Sequence, residues 1–159
     1  MKQDHDKNLT LLSWLRSNSR LPLTRISKGT NIPISTLFDR LKEQEKDLVF
    51  KHTTLIDFSK LGYHTKVHLL LKAPTKHKKE LEKHLKCNEK INSFYKVTEK
   101  YHFLAEGIFR HVKEFKTFLE ALEERFSPLE YTSYFITEDV KREAFLAEAN
   151  TPYGARRAS

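Results

Sequence analysis

An α+β protein in two parts is predicted by three features of the sequence. Apolar residues recur at helical spacing through the first 46 residues, and strict alternation of apolar and polar residues begins near residue 63. From there the elements run strand, helix, strand, strand, helix, strand. The 159 residues suffice for one domain or two small ones. With 38% hydrophobic residues, 11 Phe and 6 Tyr, there is apolar material for real cores, although 31% of the residues are charged.

Each element has its own signal. Leu11, Leu12 and Leu15, widened by Trp14, form the stripe of a first helix that fades near Ser17-Asn18-Ser19, before Pro22. A short second helix from about Leu23 to Lys28 offers Leu23 and Ile26 to a core, and Gly29-Thr30-Asn31 is expected to break it. Pro33 opens a third helix, where its missing N–H costs nothing. There Ile34, Leu37, Phe38 and Leu41 stand at i, i+3, i+4 and i+7, an apolar face expected to be buried. Leu48-Val49-Phe50 and Leu55-Ile56 are β-prone, separated by Lys51-His52-Thr53-Thr54, and read as a wing or linker strand.

Gly62 marks the boundary to the second pattern. Tyr63, Thr65, Val67, Leu69 and Leu71 alternate with His64, Lys66, His68, Leu70 and Lys72, which predicts a half-buried strand. Pro74 starts a charged helix reaching about Cys87, with Leu81 and Leu85 turned inward. Ile91–Thr98 and His102–Phe109 predict a hairpin. Val112, Phe115, Leu119, Leu122 and Phe126 share a helical face that Pro128 ends, and Glu130–Thr137 supplies a last strand. This is the split βαβ, ferredoxin-like order, with two helices over one face of a four-stranded antiparallel sheet. The other face needs a cover, most simply a second copy in an isologous dimer that shields strand residues such as Val67, Leu69 and Phe103. The expected divisions are a winged helix-turn-helix over residues 1–60, the βαββαβ domain over 61–140, and a C-terminal tail over 141–159, flexible from about Asn150.

The formal net charge of +8 suits a polyanionic partner. Residues 1–60 carry 11 Lys and Arg against 7 Asp and Glu, and residues 61–126 carry 14 against 9, so positive charge spreads over both parts. Cys87 is the only cysteine, which excludes an intramolecular disulfide and a Cys-based zinc site and suits a reducing interior. No apolar run reaches the roughly 20 residues of a membrane span, and Met1-Lys2-Gln3-Asp4-His5-Asp6 lacks the apolar core of a signal peptide, so a cytoplasmic location is expected. Among the eight histidines, His64 and His68 share a strand face but lie roughly 13 Å apart at about 3.3 Å per residue, too far for one ion. His64 and His102 are expected to approach each other at one end of neighbouring strands, yet without supporting carboxylates no metal is expected. No Gly-rich phosphate loop, nucleophile elbow or His-Glu zinc motif appears, so neither catalysis nor a cofactor is expected.

Two short helices joined by a Gly-containing turn have the punctuation of a helix-turn-helix, whose second helix lies in the major groove of DNA. Burial of the apolar face of the third helix leaves Ser35, Thr36, Asp39, Arg40, Lys42 and Glu43 outward. Ser35 and Thr36 can exchange hydrogen bonds with bases or phosphates, while Arg40 and Lys42 can pair with phosphates or, for Arg, fork onto guanine. Thr24, Arg25 and Lys28 of the preceding helix, with Lys51 and His52 of the wing, are expected to hold the backbone. The open alternative at this level is a solvated polar face on an ordinary helical bundle.

Three stretches carry a family resemblance: Arg20-Leu21-Pro22-Leu23-Thr24-Arg25-Ile26-Ser27, Ser35-Thr36-Leu37-Phe38-Asp39-Arg40-Leu41, and Asp57-Phe58-Ser59-Lys60-Leu61-Gly62. In this order and spacing the chain resembles the Lrp/AsnC, or feast/famine, regulators over about residues 6 to 140. The resemblance implies a helix-turn-helix ending in a linker strand of the form aliphatic-Asp…Leu-Gly, followed by a βαββαβ domain, called RAM, that assembles the protein. It also implies local transcription control by homodimers or rings of dimers on double-stranded DNA, often tuned by an amino acid effector. The chain departs from the pattern at Gln44, where a leucine is usual, and at Leu48, where a glycine is usual. Between the second and third strands, Tyr101 matches an aromatic of the effector site, while Glu99 and His102 replace its glycine and aspartate. The common amino acid pocket is therefore not expected in its usual form.

The sirohaem decarboxylases, enzymes of haem biosynthesis that do not act on DNA, resemble this expected two-domain architecture, and Phe109-Arg110-His111 superficially resembles the basic residues such a pocket needs. Their Arg-Ile-Gly stretch after the third helix is absent, with Leu48-Val49-Phe50-Lys51 in its place. The regulator is the preferred reading and the enzyme the alternative.

Overall fold

In the computed structural model the described residues are 2–147, with side chains described from Asp6 onward. The tail expected to be flexible from about Asn150 lies outside them. The chain forms two compact units: residues up to Leu55 joined by the described residues from Val140, and Ile56–Asp139.

In the first unit, α1 (Lys2–Ser17), α2 (Leu23–Thr30) and α3 (Ile34–Asp47) enclose Leu11, Trp14, Leu15, Leu21, Ile26, Ile32 and Leu37. Burying a side chain of this size contributes about 1.5–3 kcal/mol. Two local expectations are corrected here. Helix α2 does not stop at Gly29 but runs through it to a left-handed cap at Asn31, φ 57°. Gly29 instead marks a close approach, since a Cβ there would stand 2.4 Å from Cη2 of Trp14. On α3 the buried stripe is Leu37, half-buried Leu41 and Gln44, whereas Ile34 and Phe38 are each 47% exposed. The apolar spacing fits two adjacent stripes, and the core takes the one that continues into Gln44. Neither atom of the Gln44 amide meets a hydrogen-bonding partner among the described residues.

After α3, residues 49–57 form no strand, so the expected wing or linker strand at Leu48-Val49-Phe50 and Leu55-Ile56 is absent from the single chain. High β-propensity does not make a strand without a neighbour to accept its ladder bonds. Ahead of the tail expected to be flexible from about Asn150, Arg16 on α1 pairs with Glu143 at 3.0 Å and donates to the carbonyl of Phe145.

The second unit opens with a 3-10 turn, Phe58–Leu61. The Asp57 carboxylate accepts from the Ser59 backbone N–H and hydroxyl, and Gly62 closes the turn at φ 86°. The Asp…Leu-Gly stretch is thus a capped turn whose last residue occupies the left-handed region that glycine tolerates. Then follow β1 (Thr65–Lys72), α4 (Thr75–Lys86), β2 (Ile91–Lys96), β3 (Phe103–Phe109), α5 (Val112–Phe126) and β4 (Glu130–Phe135). All neighbouring strands are antiparallel, in the order β2-β3-β1-β4.

Val67, Leu69, Leu71, Phe103 and Phe109 face Leu81 and Leu85 of α4 and Phe115, Leu119, Leu122 and Phe126 of α5. Val67, Leu69 and Phe103, expected on the uncovered face, are therefore core residues beneath the helices. The open face carries the alternate set: Lys66, His68, Leu70 and Lys72 of β1, Leu104 and Glu106 of β3, Tyr95 of β2 and Tyr134 of β4. The expected approach of His64 to His102 is also corrected by the register. Thr65 lies opposite Phe109 and Leu71 opposite Phe103, so His64 sits beside Arg110 and His102 beside Leu71, at opposite ends of the strand pair. Among the described residues no three His, Cys, Asp or Glu are grouped to hold a metal ion. No described helix is long and apolar enough to cross a membrane.

Candidate nucleic-acid interface

Helices α2 and α3 both begin after a proline, Pro22 and Pro33, with no side-chain cap. The Arg25 N–H already donates to the Pro22 carbonyl at 2.9 Å, and the N–H groups ahead of it on α2, like those at the start of α3, meet no capping side chain, an arrangement that suits phosphate. With Leu37 and Gln44 buried, the helical period of α3 turns Ser35, Asp39, Lys42 and Lys46 directly outward, and all four are exposed. Lys46 was not among the residues singled out from the sequence. Only knowledge of which stripe is buried puts it on the same ridge.

The flanks of α3 differ from the expectation. Thr36 is half-buried, and Arg40, expected outward, is half-buried with Nη1 donating to Oδ1 of Asn8 on α1 at 2.7 Å. That bond ties α3 to α1. Lys42 lies 4.6 Å from the centre of the Phe38 ring, which steadies its stem while leaving the ammonium exposed. Thr24, Arg25 and Lys28 are exposed on α2, with Thr24 and Lys28 one turn apart. Lys51 is exposed in the irregular segment after α3, and His52 meets Glu45 at 3.0 Å.

The residues expected around an effector lie in the second unit. Glu99, standing where the resemblance has glycine, has φ 74°, so the backbone keeps a conformation that glycine favours. The Tyr101 hydroxyl meets the Thr132 hydroxyl at 2.6 Å, a bond that lowers its pKa, while Lys100 sits 5.2 Å from its ring centre. His102 packs edge-on to Phe103 and its Nδ1 is buried without a partner among the described residues. Burial, then Lys78 and Lys72, lowers its pKa against the opposing pull of Glu130. An imidazole in this setting is neutral at pH 7, so it is no substitute for a carboxylate facing an ammonium.

No protein-family model matches the chain. A Pyrococcus furiosus protein that carries the name HTH-type transcriptional regulator is 25% identical over 118 residues, covering 74% of this chain and 80% of its own. A transcriptional regulator of Neisseria meningitidis, solved as a complex with L-Met, superposes with a TM-score of 0.80 at 16% identity, over 90% of this chain and 95% of that one. An AsnC family transcriptional regulator from Agrobacterium tumefaciens superposes with a TM-score of 0.72 at 15% identity, over 86% of this chain and 91% of that one.

Proposed function

We propose that the chain, whose fold is like that of the AsnC family regulator and the L-Met-bound regulator, is a Lrp/AsnC-type, sequence-specific, double-stranded-DNA-binding transcription regulator that acts as a dimer or higher oligomer. The observation that carries this reading is the ridge Ser35, Asp39, Lys42, Lys46, which faces outward from the second helix of a helix-turn-helix, opposite its buried Leu37. With α3 in the major groove, Ser35 and Asp39 near its start meet base edges and Lys42 and Lys46 meet phosphates. Thr24, Arg25 and Lys28 on α2, with Lys51 and His52 after α3, hold the backbone. Arg40 acts as the brace between α3 and α1.

Residues 61–140 serve assembly. The uncovered sheet face presents Leu70 and Leu104 half-buried and Tyr95 and Tyr134 more than half exposed, around a polar centre where His68 meets Glu106 at 3.3 Å. Asn92 and Ser93 also donate to that carboxylate. A second copy on this face removes the apolar rings from water and keeps the polar centre bonded. If an amino acid tunes the protein, as the L-Met complex suggests for a structural neighbour, it is held in a pose adapted to Glu99, Tyr101 and His102. No catalytic role is assigned, and the working place is the cytoplasm. Size-exclusion with light scattering, run with and without a duplex from the protein's own promoter, tests the reading. A dimer or a multiple of it that shifts with DNA is expected; a monomer that leaves the duplex free contradicts it.

A further inference from the structure

The two helices over the sheet present unlike ridges to solvent. On α4, Leu81 and Leu85 are buried, and the helical period puts Lys76, Lys79, Lys83 and Lys86 on the opposite side, all exposed. Nothing acidic breaks this row. The only carboxylates of the helix stand on its flanks and are engaged elsewhere, Glu80 by Arg125 at 2.8 Å and Glu82 by Lys96 at 2.7 Å. No carboxylate among the described residues pairs with any of the four lysines. The outer ridge of α5 is mixed instead: Lys113, Thr117, Glu120 and Glu124.

We propose that the lysine row Lys76, Lys79, Lys83, Lys86 on α4 is a second DNA-backbone surface, which takes phosphates of duplex DNA without reading sequence. The inference rests on the reading of the protein as a DNA-binding regulator. At about 1.5 Å per residue the row spans roughly 15 Å. Phosphates of one strand repeat about every 3.4 Å along the duplex axis, so the row runs beside several of them. Four like charges at one-turn spacing repel one another and lower helix stability, and a polyanion removes that repulsion. Charge complementarity therefore names the occupant. Lysine, a flexible point charge, suits phosphate contact at variable register better than base readout.

The test uses the full chain carrying Lys76→Gln, Lys79→Gln, Lys83→Gln and Lys86→Gln together, with Lys113→Gln plus Lys116→Gln on α5 as a charge control. Each neutralised phosphate contributes about 0.9 to the slope of log affinity against log salt. The fourfold variant should show a slope shallower by about 2–4 and at least tenfold weaker duplex binding at about 0.1 M salt. The α5 pair should bind nearly as the wild type does. Lys76→Glu with Lys79→Glu, and separately Lys83→Glu with Lys86→Glu, should each lower affinity, which guards against one variant failing to fold. Wild-type affinity and slope in the fourfold variant overturn this proposal alone, whereas a wild-type protein that binds no duplex overturns it together with the regulator reading. If the fourfold variant keeps its hold on duplex and loses binding only to anionic phosphatidylserine vesicles, the surface belongs to membranes and the proposal fails.

Discussion

Replacing Gly29 with Ala separates a general rule from the particular packing of this fold. An exposed glycine in the last turn of a helix usually gains about 0.5–1 kcal/mol on becoming alanine, because the backbone loses less freedom on folding. At Gly29 the new methyl would lie 2.4 Å from Cη2 and 2.6 Å from Cζ2 of Trp14, where carbon atoms normally keep about 3.5–4.0 Å. The indole or the helix must therefore move by about 1 Å. Trp14 has little room, being only 9% exposed in a core with Leu11, Leu15 and Ile26. Overpacking of this kind costs about 1–3 kcal/mol, so Gly29→Ala should destabilise the first unit by about 0.5–2 kcal/mol net. For a unit of this size that lowers Tm by several degrees. Trp14 is the only tryptophan, so its fluorescence during a thermal melt reports this unit directly. A raised or unchanged Tm would refute the close-packing argument and return Gly29 to the role of an ordinary helix-end glycine.

Four further outcomes are expected. Gln44→Leu should stabilise the first unit by about 1–3 kcal/mol in urea denaturation, because it removes a buried amide without a partner. Arg40→Ala should lower the stability of the same unit by about 1 kcal/mol, and a double-mutant cycle with Asn8→Ala should show that the two residues are coupled. Leu104→Lys on the open sheet face should shift the protein toward monomer in light scattering at micromolar concentration, whereas Phe103→Lys, beneath the helices, should unfold the second unit. For His102 the folded pKa lies below the ordinary value of about 6.5, chiefly through burial and then Lys78 and Lys72. The unfolded chain thus takes up the proton first: the contribution to stability is complete above about pH 6.5 and is lost as pH falls through the folded value. His84 acts in the same direction, through burial and Arg125, so His102→Phe should flatten the acid-side decline without abolishing it.

What the sequence made legible was whatever depends on neighbours along the chain. Thr65, Val67, Leu69 and Leu71 separate cleanly from Lys66, His68, Leu70 and Lys72 because period-2 alternation is a local property. Which set meets the helices is not local, and Val67, Leu69 and Phe103 fell on the other side from expectation. On α3 the spacing of Ile34, Leu37, Phe38 and Leu41 allowed a stripe one step round from the real one, and polar Gln44 concealed the true edge. The same shift brought Lys46 onto the exposed ridge and took Arg40 off it. His64 and His102 were parted by strand register, which the order of elements does not encode. The segment from Leu48 to Ile56 has strand-forming residues but no neighbour within the chain, so propensity alone misled there.

The central claim, that the outward ridge of α3 reads DNA, is tested most directly by anisotropy titration of the protein's own promoter duplex across a salt series. Wild type, Lys42→Ala and Ser35→Ala should be compared, each checked for an unchanged thermal melt. Steeply salt-dependent binding is expected for the wild type. Lys42→Ala should weaken it on every sequence and reduce the salt slope by about 1, and Ser35→Ala should weaken it chiefly on the specific site. Binding by both variants with wild-type affinity, slope and sequence preference would contradict the claim and remove α3 as the reading helix.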